Sequence, residues 1–489
     1  MDGLNRKVAH GVFWNLANMV VSRGASVVFT LFLAKFLAPE AFGLMAMIAI
    51  CYALADALMT SGFGQAIIRQ KELDAVDLST AFFTNLALSL ATYLLLYAAA
   101  PWIARFYAHP ELEVLIRVTG LILFVNALKV VQLAQLNRDM DFKALMRINS
   151  TATLVSGVVA VGLAYAGLGV WSLVAQFMTT AAVSTGLLWV ASPWRPIARF
   201  SMASFRGMFG FGSRLTLESV LNVLYENSYV LVIGKFFSAE GTGLYYFAKR
   251  IRDLVVDQVN SAVQQATYPA MAQMQDEPAG LKRMYRAVLQ LLFFAITPGL
   301  ALIALLAAPL FQVAFHERWL PAAPYLQLMC VAGILFPVHT VNFNMLKVKG
   351  RTDLVLYVGL VKKGLHLLLL AVAIPYGIQG ILVGQIAATV LSCLPYMHYS
   401  AALLGYGWRE QFKDMLEPIA AAGLAVLASG LLLRALALPD AWSALAGAAS
   451  FTFIYVAASH AAGVGGYRFL RGRLAAWRAG GAQASGHRA

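Results

Sequence analysis

Lys35-Phe36-Leu37-Ala38-Pro39-Glu40-Ala41-Phe42-Gly43-Leu44 is followed 200 positions later by Lys235-Phe236-Phe237-Ser238-Ala239-Glu240-Gly241-Thr242-Gly243-Leu244, with five of the ten positions identical. Ser61, Gln65 and Ala66 return at the same offset as Ser261, Gln265 and Ala266, and Tyr165-x-x-x-Gly169 returns as Tyr376-x-x-x-Gly380 at an offset of 211. Matches in this order point to an internal repeat. Part of the likeness is helix-end chemistry, because Lys35 and Lys235 suit snorkelling positions and Pro39-Glu40 suits a first turn. The repeat therefore speaks to architecture and not to a site.

The surroundings of the repeat are apolar. Of 489 residues, 60% are hydrophobic and 12% charged, against roughly 25% charged in an ordinary soluble domain. Stretches near 20 apolar residues, each long enough to cross a hydrocarbon core of about 30 Å, recur along almost the whole chain. Such a composition excludes disordered, collagenous and disulfide-stapled secreted classes. Cys51, Cys330 and Cys393 lie inside apolar stretches and form neither a metal-ligand pair nor a disulfide framework. Arg6 and Lys7 precede the first stretch without a small-residue cleavage site, so the first helix is expected to stay as an anchor.

Hydropathy broken at charge clusters and Pro/Gly turns places fourteen spans, at about 11–36, 41–66, 79–103, 113–136, 148–166, 169–191, 208–236, 243–268, 287–315, 322–346, 354–375, 378–404, 415–437 and 441–463. Alternate connections differ in positive charge. One set, from Arg6 and Lys7 to the tail residues Arg468, Arg471, Arg473, Arg478 and Arg488, holds 23 of the 37 Lys and Arg residues. The opposite set holds Lys35, Arg105, Lys235, Arg318 and Arg434. Positive residues near helix ends mark the cytoplasmic side, so both termini are predicted to be cytoplasmic. The net charge of +14 is then an orientation signal and not a nucleic-acid surface. No connection exceeds about 20 residues, which leaves no room for a soluble catalytic domain.

The expected fold is all-α and integral to the membrane. Because both copies of the repeat join the first and second spans of a six-span unit, the halves share one topology about an axis along the membrane normal. Residues 1–206 form one six-helix bundle, 207–408 the second, 409–465 two additional helices and 466–489 a basic tail. Asn137 to Ile148, and the tail from Tyr467 to Arg478, read as interfacial amphipathic elements.

Charge at bilayer depth costs several kcal/mol, so it faces a cavity or a partner. Span 1 carries Asn15, Asn18 and Ser22 on one face with Arg23 beside it, and span 2 carries Asp56. Span 7 has Arg214, Glu218, Asn222, Tyr225 and Glu226; span 8 has Lys249, Asp253, Asp257, Asn260 and Gln264 on one stripe, with Arg250 and Arg252 adjacent. Lys129 lies in span 4, and Lys362 and Lys363 in span 11. Cations predominate, as a phosphate or pyrophosphate would require. The acids Asp56, Glu218, Glu226, Asp253 and Asp257 either bind a coupling cation or balance neighbouring charge. His339, His366 and His398 read as structural.

Short stretches stand in order along the chain: Phe42-Gly43-Leu44, Ser61-Gly62-Phe63-Gly64-Gln65-Ala66-Ile67-Ile68, Gln135-Leu136-Asn137-Arg138-Asp139-Met140-Asp141-Phe142, Gly167-Leu168-Gly169-Val170-Trp171-Ser172-Leu173 and Tyr268-Pro269-Ala270. By these stretches and the 6+6+2 arrangement the chain resembles polysaccharide flippases of the Wzx type, in the multidrug/oligosaccharidyl-lipid/polysaccharide exporter superfamily. None is a catalytic signature, and the family has no invariant motif from which site residues transfer one by one. What the resemblance implies is movement of an undecaprenyl-pyrophosphate-linked oligosaccharide from the cytoplasmic to the periplasmic leaflet by alternating access, for O-antigen, capsule or exopolysaccharide.

The expected location is accordingly the bacterial inner membrane. Expected partners are that lipid-linked substrate and membrane lipid, with polymerase or assembly proteins left open; no nucleic acid is expected, and a monomer suffices. No cofactor is implied, and the coupling ion, H+ or Na+, stays open. An ion-coupled multidrug or cation antiporter on the same fold is the alternative, but it calls for a cavity dominated by carboxylates. A membrane polymerase, ligase or acyltransferase would need an acid/base or nucleophile constellation. The outer connections offer only Arg105, His109, Glu111, Glu113, His316, Glu317 and Arg318.

Overall fold

A computed structural model describes residues 21–22, 24–69, 74–315, 317–436 and 439–472, with the backbone alone at 60–69, 207–215, 257–258, 260–266, 269 and 440–441. In hydrocarbon every backbone N–H and C=O has to be satisfied within the chain, which leaves helices as the available element for apolar stretches of this length. The described residues form helices joined by short turns and contain no strand.

In chain order the helices are α1 (Gly24–Phe36), α2 (Pro39–Arg69), α3 (Ala75–Tyr107), α4 (Glu111–Gly120), α5 (Ile122–Ala127), α6 (Val130–Arg138), α7 (Phe142–Tyr165), α8 (Val170–Ala191) and α9 (Met202–Glu226). They continue with α10 (Ser228–Phe236), α11 (Ala239–Gln273), α12 (Pro278–Ala314), α13 (Ala322–Ile334), α14 (Phe336–Val348), α15 (Thr352–Ala373), α16 (Gly377–Leu404), α17 (Trp408–Leu436) and α18 (Asp440–Ala461). Each of the fourteen expected spans has helix under it. Among the described residues, nine helical stretches are long and apolar enough to cross a membrane. One of them, Thr352–Leu404, has 53 residues; a straight helix of that length would run about 80 Å, and it is in fact the hairpin of α15 and α16, turned at Ile374–Tyr376.

Several boundaries and elements differ from expectation. The fourth span is not one helix: Glu111–Ala127 and Val130–Arg138 meet at a 46° bend. The tenth is split at Leu335, because Pro337 has no N–H to give to the carbonyl of Gly333. α12 begins nine residues before the expected 287, so Lys282, Arg283 and Arg286 are helical and not a connection. Asn137 to Ile148 is no single surface element. It is a turn through Met140 (φ 58°) followed by α7, whose N-cap Asp141 accepts from the Ala144 N–H at 3.0 Å.

By contacts the chain divides into two compact units, Met1–Tyr246 and Phe247–Ala489, with the division inside α11. The sequence repeat divides the bundles at 206/207 instead. Contacts put α9 and α10 with the first unit because both pack on α2.

Within unit 1 the two copies of the opening motif meet each other. A Cβ built on Gly43 would stand 1.8 Å from the carbonyl oxygen of Ala239, and one built on Gly243 would stand 1.8 Å from that of Pro39. Backbone touches backbone here, which only glycine permits. Gly157 of α7 similarly leaves the space filled by the Phe29 ring of α1. α3 presents Leu78, Ala81 and Phe82 to Val131 and Ala134 of α6, with Trp189 and Trp194 packed on the cluster. On the buried side of α3, Ser79 accepts from the Ile197 N–H (3.0 Å) and Thr80 from the Ser201 N–H (2.9 Å), fixing the connection into α9.

In unit 2, α17 lays Ala421, Ala422 and Ala425 against α12 and α18, where Ala301, Phe451 and Tyr455 complete a core of small and aromatic residues. One end of this seam is polar. The Asp414 carboxylate, 2% exposed, accepts from Arg286 Nε (2.6 Å) and NH2 (2.8 Å), from Gln290 Nε2 (2.8 Å) and from the Tyr406 hydroxyl (2.5 Å). The tail also packs on protein: Gly465 and Gly466 bring its first turn against Gln290 and Phe294, and Tyr467 contacts the Phe294 ring at 6.2 Å.

Candidate substrate site

In unit 1 the site begins with the broken fourth span. Ending α5 at Ala127 and restarting at Val130 frees carbonyls that hydrocarbon cannot satisfy. α8 supplies the donors: Thr185 Oγ1 donates to the Val125 carbonyl (3.0 Å) and Trp189 Nε1 to the Leu128 carbonyl (2.9 Å). Lys129 sits at the break as the N-cap of α6. Its half-buried ammonium donates to Ser184 Oγ at 3.1 Å and lies in the field of Asp56 on α2. Beside Asp56, the Tyr52 hydroxyl accepts from Asn126 Nδ2 on α5. The structure thus brings together Lys129 and Asp56, which the sequence placed on separate spans.

In unit 2, α11 carries a cation-rich cluster. Asp253 pairs with Lys249 (Nζ to Oδ2, 2.9 Å) and accepts from Arg252 Nε at 2.8 Å, with a second bond from Arg252 NH2 to the same oxygen. Two cations on one carboxylate leave one positive charge in excess. Arg252 is 17% exposed and runs along α13 where Gly333 leaves room, with its Cδ 3.6 Å from the position a Cβ would take.

Beyond the Leu335 break, His339 occupies the first turns of α14 and is 6% exposed. Its Nε2 lies 3.4 Å from Ser392 Oγ and 3.7 Å from Cys393 Sγ on α16, and its ring meets Tyr396 edge-on at 5.1 Å between centroids. On α15, His366 Nδ1–H donates to the Lys362 carbonyl at 2.9 Å, and the Lys362 charge acts on both His339 and His366.

The remaining sequence candidates are dispersed. Glu218 and Glu226 are exposed on α9, where Asn222 Nδ2 donates to Glu218 Oε1 at 2.9 Å and Tyr225 is half-buried. Ser22 lies 3.2 Å from Ser150 of α7. Arg250 and Lys363 are half-buried. Asn15, Asn18 and Arg23 lie outside the described residues, as do the side chains of Arg214, Asp257, Asn260 and Gln264. Ser184, Thr185, Trp189 and Ser392 were missed, because a serine or tryptophan inside an apolar span carries no charge signal. The signal available was a lone lysine, Lys129, in mid-span. A separate cavity of ≈ 600 Å³ lined by Gln312, Glu317, Leu320 and Pro321 lies at the far end of α12 from Arg286 and holds none of the candidate cations.

Residues 32–324 match the family model described as "Polysaccharide biosynthesis protein". The chain is 25% identical over 422 residues to the lipopolysaccharide biosynthesis protein WzxC of Escherichia coli (strain K12), covering 85% of each chain. It is 26% identical to the succinoglycan biosynthesis transport protein ExoT of Rhizobium meliloti (strain 1021), covering 68% of each. Among solved structures it is similar in fold to the lipid II flippase MurJ in an inward closed conformation, with a TM-score of 0.71 at 12% identity, over 92% of this chain and 98% of that one. A MATE-family multidrug transporter of the MOP superfamily superposes with a TM-score of 0.58 at 16% identity, over 80% of this chain and 98% of that one.

Proposed function

We propose, for a chain that belongs to the polysaccharide biosynthesis protein family, that it moves an undecaprenyl-pyrophosphate-linked oligosaccharide from the cytoplasmic to the periplasmic leaflet by alternating access. The product serves a cell-surface polysaccharide; the relatives WzxC and ExoT are named for lipopolysaccharide biosynthesis and for succinoglycan biosynthesis transport. The step is transport without covalent change to the substrate. The protein is a multi-pass membrane protein, placed in this proposal in the bacterial inner membrane with both termini cytoplasmic, as the alternation of Lys and Arg between connections supports.

The observation that carries the proposal is the excess of cation over carboxylate, among the described side chains, at buried or half-buried positions on the helices. Lys129 at the α5–α6 break, Lys249 and Arg252 around Asp253, and Lys362, whose charge acts on His339, each keep positive charge largely away from water. A dianionic pyrophosphate stabilises such an excess, whereas a cationic drug is repelled by it. Asp56 and Asp253 balance charge in this scheme. Sugars are accepted by the polar groups around the cations, and the polyprenyl tail stays in lipid.

The test is leaflet-resolved quantification of lipid-linked oligosaccharide in cells depleted of the protein and then restored. Accumulation facing the cytoplasm, relieved on restoration, is expected. An unchanged distribution would remove the substrate class and bring the ion-coupled multidrug antiporter forward.

A further inference from the structure

Three stripes run along the first three turns of α17, and each meets different surroundings. Glu410, Asp414 and Glu417, at i, i+4 and i+7, are its acids, and all three are engaged. Glu410 Oε2 lies 3.0 Å from Lys282 Nζ, Asp414 holds Arg286, Gln290 and Tyr406, and Glu417 Oε2 accepts from the Gly465 N–H at 3.3 Å. Trp408, Phe412 and Leu416 form an exposed apolar stripe, with the Trp408 and Phe412 rings stacked at 6.3 Å between centroids. Between acids and apolar stripe lie Arg409 and Lys413, exposed and one turn apart.

The depth of these residues follows from length. α17 has 29 residues, whereas a hydrocarbon core takes about 20. Leu424, Leu427 and Leu431 carry the exposed apolar stripe on towards the end of the helix at Leu436. Counting about 20 residues back from Leu436 puts the hydrocarbon boundary beside Leu416. Lys413 and Arg409 then lie about 5 and 10 Å outside it at 1.5 Å per residue, in the headgroup region.

The tail brings a second pair of cations to the same end of α17. Its helix (465–472) starts on Glu417, and Gly465 packs on Gln290, whose side chain is itself bonded to Asp414. Beyond that contact Arg468 and Arg471 are exposed, with Phe469 and Leu470 exposed beside them. Among the described residues none of these four cations has a carboxylate within ion-pair distance, because the acids of α17 are occupied by α12 and by the backbone of the tail.

We propose that the start of α17 and the tail helix form one binding site for the phosphate headgroup of an anionic phospholipid, with its acyl chains along Trp408, Phe412 and Leu416. The site uses none of the cations assigned to the transported substrate and does not depend on that assignment. Arginine pairs with phosphate oxygens through two N–H groups and lysine as a point charge. A free phosphate would meet the same charges but leave the apolar stripe uncovered, so the occupant is a lipid. Each cation at this depth is worth about fivefold in affinity for anionic lipid.

The test uses the full-length protein in detergent, titrated with phosphatidylglycerol or with phosphatidylcholine of the same acyl chains, and counts bound lipid by native mass spectrometry. The wild type is expected to hold one phosphatidylglycerol about tenfold or more tightly than phosphatidylcholine. Arg409→Gln/Lys413→Gln and Arg468→Gln/Arg471→Gln should each weaken that lipid about tenfold; all four side chains are exposed, so the substitutions leave packing intact. Arg147→Gln/Arg206→Gln, which removes two exposed cations of unit 1, should leave it bound. A wild type without preference between the lipids overturns the proposal, and so does an equal loss in the unit 1 variant, which would mean a diffuse field. A loss confined to the α17 pair overturns the shared site, and displacement of the lipid by excess inorganic phosphate overturns the lipid as occupant.

Discussion

Gly43→Ala tests the backbone contact at which the two copies of the repeat meet. The new Cβ would lie 1.8 Å from the Ala239 carbonyl oxygen, whereas a carbon and a carbonyl oxygen approach to about 3.3 Å. The helices must therefore part by about 1.5 Å, and the opposing atom is backbone, which cannot rotate away. Overpacking of this kind costs about 1–3 kcal/mol, and the helix propensity gained by replacing glycine offsets about 0.5–1 kcal/mol of it. The sign is the test, since alanine in an uncrowded helix would stabilise. With 246 residues in unit 1, a net loss of about 1–2 kcal/mol lowers the midpoint of thermal unfolding by about 2–8 °C. Gly243→Ala should behave alike, because its Cβ meets the Pro39 oxygen at the same 1.8 Å. A single separation relieves both clashes, so the double variant should cost no more than about 0.5 kcal/mol beyond either single one. Thermal unfolding of the purified variants in one detergent measures all three. A midpoint that rises in Gly43→Ala, or costs that add in the double variant, would refute the reciprocal contact.

Trp189→Phe keeps an aromatic ring, though a smaller one, but removes the donor to the Leu128 carbonyl, so it should lose at least about 1–2 kcal/mol in the same assay; a change below about 0.5 kcal/mol would mean the break satisfies itself. Asp414→Ala strands Arg286, Gln290 and Tyr406 and should cost about 2–3 kcal/mol, less than a fully buried pair because Arg286 is 40% exposed and can turn to water. Lys129→Met should weaken binding of undecaprenyl pyrophosphate about tenfold or more, read by calorimetry, while Lys129→Arg keeps most of it; equal affinities in all three proteins would take Lys129 out of the site.

The succession of apolar helices could be read from the chain because hydrocarbon thickness sets a length. That constraint is local to each stretch. What a stretch meets across space is not local. Gly43 and Gly243 were visible as a match, yet nothing in either decapeptide says that they touch. The break after Ala127 has no proline or glycine at 121–129 to announce it; it exists because Thr185 and Trp189, some 60 residues on, supply the missing donors. The break at Leu335, by contrast, was marked by Pro337. Arg286 was visible as one more positive residue at a helix end, whereas its carboxylate partner lies 128 positions away. His339 reads as structural from sequence, and its serine, cysteine and tyrosine neighbours come from α16, far along the chain. The same distance effect separated Lys129 from Asp56.

The Asp414 cluster, the alanine seam and the glycine pair at 465–466 all attach α17, α18 and the start of the tail to one helix, α12. Those attachments leave α17 and α18 little freedom to tilt on their own. A spin label or fluorophore on the exposed face of α18, for example at Phe453, which is 75% exposed, would therefore report the inclination of α12 during turnover without a probe being placed anywhere near the cations.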